Sequence, residues 1–212
     1  MELGRFIAFE GGEGAGKSTQ ARLLAEALEA RGLGCVLTRE PGGTPGAEAV
    51  RALLLDPPGV GWHAEAEALL FAAARSDHVA RLIRPALTRG DWVICDRFID
   101  SSRAYQGVAG ELGDAAVGEL HRIGSGGLLP DLAIVLRTAA KDAAARLAAR
   151  DGGKADAIGG RGAGYHAHVM AAFAEFATTE AKRFALVDGA GTPEDVHARV
   201  MDALAPLLPV QI

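Results

Sequence analysis

Aromatic side chains make up only 5% of this 212-residue chain, and cysteine occurs just twice. Cys35 and Cys95 lack metal-ligand spacing, which argues against a zinc knuckle or a disulfide-stapled scaffold. Each falls in a strand-like apolar run, where a buried, inert thiol in a reducing compartment is expected. No run of lysine or arginine is present and the net charge is −5. A track for a nucleic acid polymer is therefore not expected. No apolar stretch reaches membrane-spanning length: Phe6–Phe9 is short and Glu10 ends it. Nothing reads as a signal peptide, so a cytoplasmic chain without a membrane partner is expected. His63, His78, His121, His166, His168 and His197 are scattered over predicted helices and read as surface or partly buried residues. There is no internal repeat.

What is there is an alternation. Short apolar runs at Phe6–Phe9, Cys35–Thr38, Trp92–Cys95, Leu132–Leu136 and Phe184–Val187 read as strands. Between them lie helical patterns at Lys17–Arg31, Gly46–Leu55, Ala64–Arg89, Asp114–Ile123, Ala139–Arg150, Tyr165–Lys182 and Pro193–Leu207. Strands without polar alternation, separated by helices, predict an α/β fold with a parallel sheet covered on both faces. One domain over residues 1–212 accommodates the whole pattern. The Gly/Ala-rich stretch from Asp151 to Gly164 reads as a lid between two helices.

The first strand-to-helix junction carries the strongest signal. Gly11-Gly12-Glu13-Gly14-Ala15-Gly16-Lys17-Ser18 fits G-x-x-x-x-G-K-[ST], with Thr19 next. Its glycines let backbone N–H groups turn inward, and the following helix N-terminus adds partial positive charge. Lys17 suits the β/γ-phosphates of a nucleoside triphosphate, and the Ser18 hydroxyl suits Mg²⁺. A guanine-specific N-K-x-D signature is absent. In a parallel sheet ligands bind beyond the strand carboxyl ends. Two polar clusters follow the second and third strands there: Arg39-Glu40-Pro41-Gly42-Gly43-Thr44-Pro45 and Asp96-Arg97-Phe98-Ile99-Asp100-Ser101-Ser102. Phe71 and Arg75, four apart on one helix, share a face. From spacing alone they fit either a base-reading pair or a core ring beside a solvated charge.

Arg39–Thr44, Phe71–Arg75 and Asp96-Arg97-Phe98-Ile99-Asp100-Ser101-Ser102-Arg103-Ala104-Tyr105-Gln106-Gly107, in that order, resemble bacterial thymidylate kinases. The resemblance implies a P-loop kinase fold with a five-stranded parallel sheet and a lid near residues 151–164. It also implies transfer of the γ-phosphate of ATP to dTMP, with Mg²⁺, usually in a homodimer. By this resemblance Phe71 stacks on the thymine and Arg75 faces its O4. Ser102 and Gln106 lie toward the base and nucleoside, with Ser102 the candidate for the N3–H edge. Tyr105 lies against the deoxyribose, and Glu13 receives the 3′-hydroxyl. Arg51 and Arg97 hold the acceptor phosphate, and Glu40-Pro41, with a conceivable cis bond, shape the pocket. Asp96 joins Ser18 near the metal. Such kinases carry a lid D-R-x-E element, but Ala157 and Gly159 stand where Arg and Glu are expected. Arg150 is then the first candidate for the cation on the transferred phosphoryl group, and Arg161 the second. The alternatives are a P-loop kinase for another small acceptor, or a nucleotide-binding module without turnover.

Overall fold

A computed structural model of the protein describes residues 4–151 and 156–209. Its centre is a five-stranded, all-parallel sheet: β1 (Phe6–Gly11), β2 (Cys35–Arg39), β3 (Trp92–Asp96), β4 (Leu132–Arg137) and β5 (Phe184–Asp188). The strand order is β2-β3-β1-β4-β5. Side chains alternate between two apolar layers, which is why the strands show no polar alternation. Ile7, Phe9, Ile94, Ile134 and Leu136 face one layer; Phe6, Ala8, Val93, Ala133 and Val135 face the other.

Helices cover both layers. Leu24 and Leu28 of α1 (Lys17–Glu29) and Val196, Val200 and Leu204 of α9 (Pro193–Leu204) close the first. The opposite face is covered by α3 (Ala64–His78), α4 (Arg84–Arg89), α5 (Ile99–Ser102), α6 (Asp114–Ser125) and α8 (Ala163–Thr179). Two further helices, α2 (Pro45–Leu55) and α7 (Ala140–Asp151), flank the carboxyl end of the sheet. Thr44 caps α2 by accepting from Ala47 N at 3.2 Å, and a capping box of Thr192 and Asp195 starts α9.

Three expectations need correction. The stretch expected as one regular helix, Ala64–Arg89, widens into a π-helical turn at Val79–Ile83. Pro85, just beyond, has no N–H to donate and its ring crowds the carbonyl one turn back. From Ile99 onward the polar cluster after β3 turns helical: α5 runs into a π-helical segment, Arg103–Ala109, which the mixed Tyr-Gln-Gly sequence conceals. Cys35 is only partly buried, whereas Cys95 is buried, because β2 is an edge strand with one open side.

The register aligns the functional ends. Phe9 pairs with Asp96, and Asp96 with Arg39, so the loops after β1, β2 and β3 leave the sheet side by side. Among the described residues no helix is long and apolar enough to cross a membrane.

Candidate active site

A cleft of about 450 Å³ opens at this carboxyl end. The loop from β1 to α1 forms one end of it. A Cβ on Gly11 would sit 2.7 Å from Leu136 O, and Gly16 caps α1 at φ 97°; both positions require glycine. Lys17 Nζ folds back to donate to Gly12 O at 2.7 Å and Gly11 O at 3.3 Å. Burial, and then the charge of Arg97, lower its pKa to about 8, against the pull of Asp96, Glu13 and Glu10. The Ser18 hydroxyl donates to Asp96 Oδ2 in a tight contact. A hydroxyl and a carboxylate converging beside a phosphate loop are hard oxygen donors of the kind Mg²⁺ takes, with the rest of its shell left to water and phosphate. Among the described residues no cluster of three or more His, Cys, Asp or Glu could hold a metal without such help.

Arg97 is the midpoint of the cleft. It adopts φ 70°, unusual for a residue with a Cβ, and side-chain bonds on every side hold it there. Nη1 donates to Gly11 O and Ser101 Oγ, both at 3.0 Å, while Nη2 reaches Glu13 Oε1 at 2.6 Å and Tyr105 OH at 3.3 Å. Arg51, from α2, donates to Pro41 O at 2.7 Å, after a cis Glu40-Pro41 bond.

The far end is built around Glu40, Arg75 and His78, all buried. Arg75 Nε donates to Glu40 Oε2 at 2.7 Å, and its Nη2 to Ser102 Oγ at 2.9 Å and Phe98 O at 3.3 Å. Nη1 has no partner among the described residues, and Arg75 lines the cleft together with Phe71. The other Glu40 oxygen accepts from His78 Nδ1 at 3.0 Å, and His78 Nε2 lies 2.8 Å from Thr38 Oγ1. His78, read from sequence as surface or partly buried, is fully buried behind Glu40; the helix period turned it inward where a polar cluster could satisfy both ring nitrogens.

The cleft gathers Glu13, Gly14, Gly16, Lys17, Ser18, Thr19, Glu40, Pro41, Arg51, Phe71, Arg75, Asp96, Arg97, Ser102, Tyr105 and Gln106. Gly11, Gly12 and Ala15 stand behind it and offer carbonyls, the last to Thr138 Oγ1 and Arg146 Nη1, each at 3.3 Å. The side chain of Arg150, and residues 152–155 of the expected lid, lie outside the described residues. Arg161 is engaged elsewhere, by Glu67 Oε2 and by Tyr165 OH.

Arg146 and Glu10 are among the residues the sequence reading missed. Arg146, one turn before Arg150 on α7, lines the cleft and also donates to Gly189 O at 3.2 Å; the i,i+4 spacing was the available signal. Glu10 is fully buried beneath the loop after β3. It accepts from Phe98 N at 2.9 Å, Ser101 N at 3.3 Å and Ser101 Oγ at 2.6 Å. Nothing in a strand-end glutamate foretold this.

Burial, and then the nearby Asp100 carboxylate, raise Glu10 from 4.5 to about 8, while Ser101, Arg97 and Phe98 N pull the other way. Arg103 and Arg183 both bind Asp100, at 3.0 and 2.6 Å. The folded protein therefore holds a proton that the unfolded chain loses near pH 4.5. This contribution to stability is complete below that pH and is lost as pH rises through about 8. Its slope is at most about 1.4 kcal/mol per pH unit. Glu10→Gln keeps the shape and cannot ionise, so urea unfolding from pH 5 to 9 should show a gentler decline than the parent. Parallel curves would mean that Glu10 does not hold this proton.

A phosphate loop at the carboxyl end of a parallel sheet, sharing one cleft with Phe71, Arg75 and Ser102, defines a P-loop kinase of small phosphorylated acceptors. Comparison with known proteins narrows the class. A family model described as thymidylate kinase matches residues 9–200. A thymidylate kinase of Rhizorhabdus wittichii is 54% identical over 206 residues, covering 97% of this chain and 99% of that one. One from Bradyrhizobium sp. (strain BTAi1) is 48% identical, covering 95% and 89%. The crystal structure of thymidylate kinase from Ehrlichia chaffeensis superposes with a TM-score of 0.78 at 31% identity, over 95% of this chain and 99% of that one. The chain belongs to the thymidylate kinase family.

Proposed function

We propose that this chain transfers the γ-phosphate of ATP to dTMP, giving dTDP and ADP. The observation that carries the reading is one continuous cleft with a phosphate loop at one end and Phe71, Arg75, Ser102 and Gln106 at the other. Arg97 lies between them.

The acceptor oxygen belongs to a phosphate that is already anionic, so positioning and charge stabilisation suffice and no strong base is needed. Lys17 and the loop N–H groups hold the donor phosphates. Ser18 and Asp96 would hold Mg²⁺, which would supply charge neutralisation at the phosphate oxygens. Arg51 and Arg97, planar forks suited to phosphate, hold the acceptor; Arg97 exchanges its Glu13 contact for it. Glu13 receives the 3′-hydroxyl, and Tyr105 flanks the sugar. Phe71 stacks on the base, a contact worth about 1–3 kcal/mol, and Arg75 Nη1 faces O4. Glu40 and Pro41 shape the recess. Arg150 supplies a cation from the lid side, within a single domain whose lid spans about residues 151–164.

A cytoplasmic location fits the family to which the chain belongs. A homodimer fits Leu53 of α2 and Leu69 of α3, apolar and about half exposed on packed neighbouring helices.

The test is ADP release from ATP and Mg²⁺ with dTMP, dUMP, dCMP or dGMP as acceptor. The expected result is dTMP-dependent release that EDTA abolishes. ATP and dTMP binding without any ADP would favour the non-catalytic reading, and faster release with another acceptor would reassign the substrate.

A further inference from the structure

Behind the base recess lies a carboxylate for which the mechanism has no use. Glu67, on the first turn of α3, is buried, one turn before Phe71 and two before Arg75 on the same helix. Its Oε1 accepts from Gln106 Nε2 at 2.9 Å. Its Oε2 accepts from Arg161 Nη2. Arg161 is fixed in turn by Tyr165, whose hydroxyl lies 2.5 Å from Arg161 Nη1 and donates to Tyr105 O. Glu67 and Gln106 also share the wall of a small cavity with Trp62.

We propose that Glu67 is a positioning residue that sets base specificity through Gln106. The inference rests on the cleft being a dTMP site. A carboxylate carries acceptors only, so it binds the Nε2 end of the Gln106 amide and never the oxygen end. The amide is thereby locked with Oε1 directed away from Glu67. Gln106 lines the cleft, and Oε1 has no partner among the described residues. Gln106 and Arg75 line the same cleft, so the lock assigns it an acceptor, Gln106 Oε1, and a donor, Arg75 Nη1. Thymine and uracil offer N3–H beside the O4 acceptor and match this pair. Cytosine offers a bare N3 beside an amino donor and opposes it at both points. Ser102 Oγ, which accepts from Arg75, cannot discriminate as firmly, because a hydroxyl rotates to donate or accept. Arg161 balances the Glu67 charge, so the lock also joins the base recess to the segment entering α8.

Glu67→Gln is nearly isosteric but can both donate and accept, so the Gln106 amide is free to flip. The dTMP-over-dCMP ratio of kcat/KM should fall at least about tenfold, since a site with mismatched buried polar groups discriminates by orders of magnitude. Most of the change should appear in the KM of the two acceptors, with the KM for ATP and the kcat for dTMP within about threefold of the parent. A merely structural role would lower both acceptors in proportion. Gln106→Leu should give the same loss of preference, and the double variant no further loss. An unchanged dTMP-over-dCMP ratio in Glu67→Gln or in Gln106→Leu overturns the proposal. A parent protein that prefers dTMP while the variants keep that preference sinks this inference alone. A parent without dTMP activity sinks the substrate reading, and this inference with it.

Discussion

Lys17→Met is expected to lower kcat for dTMP phosphorylation by about a thousandfold while the protein stays folded. The ammonium now donates to Gly11 O and Gly12 O, so it is pre-aimed into the curve of the loop where donor phosphates bind. Removing it deletes a positive charge, carried by a buried side chain, at the point where the moving phosphoryl group gathers negative charge. Stability should respond far less. Two backbone hydrogen bonds are lost, each worth about 1 kcal/mol net. Against this, the methionine relieves the burial that presses the lysine down to about pKa 8. The melting temperature should therefore move by only a few degrees (about 2–4 °C per kcal/mol at this chain length). A steady-state coupled assay with a thermal melt separates the two effects. A kcat within about tenfold of the parent, in a protein melting normally, would remove Lys17 from the transition state.

The parts legible in the sequence were those with strict local rules. The five strands showed because both sheet faces are buried, which leaves apolar runs such as Leu132–Leu136. The phosphate loop showed because its glycines answer backbone constraints. Gly16, for instance, must adopt a positive φ. Phe71 and Arg75 were placed on a shared face by helical spacing, and both line the cleft. What stayed hidden depends on contacts far apart in sequence. His78 joins the buried cluster around Glu40 only because the end of β2 brings Thr38 and Glu40 against α3. Glu10 supports the loop after β3 only because β1 and β3 are neighbours. Glu67 matters only because a π-helical turn carries Gln106 to it. Periodicity cannot report any of these pairings, and a widened turn breaks the very period on which such reading relies.

Arg75→Ala should show two separable losses: KM for dTMP raised about a hundredfold, and stability reduced by about 3–5 kcal/mol. The first follows if Nη1 meets the base, since a charged hydrogen bond to the acceptor disappears together with the cation that orients Ser102. The donor end does not touch Arg75, so the KM for ATP should stay within about threefold of the parent. The second loss has a different origin. Glu40, nearly fully buried, would keep His78 as a hydrogen-bond partner but lose the guanidinium once Nε is gone, and stranding a buried carboxylate costs more than the pair contributes. Combining Arg75→Ala with Glu40→Gln removes the stranded charge. The double variant should thus recover much of the melting temperature but none of the dTMP affinity. Recovery of both together would mean that Arg75 acts only by holding the pocket in shape. Equal rises in the KM of dTMP and ATP would place its influence outside the base recess altogether.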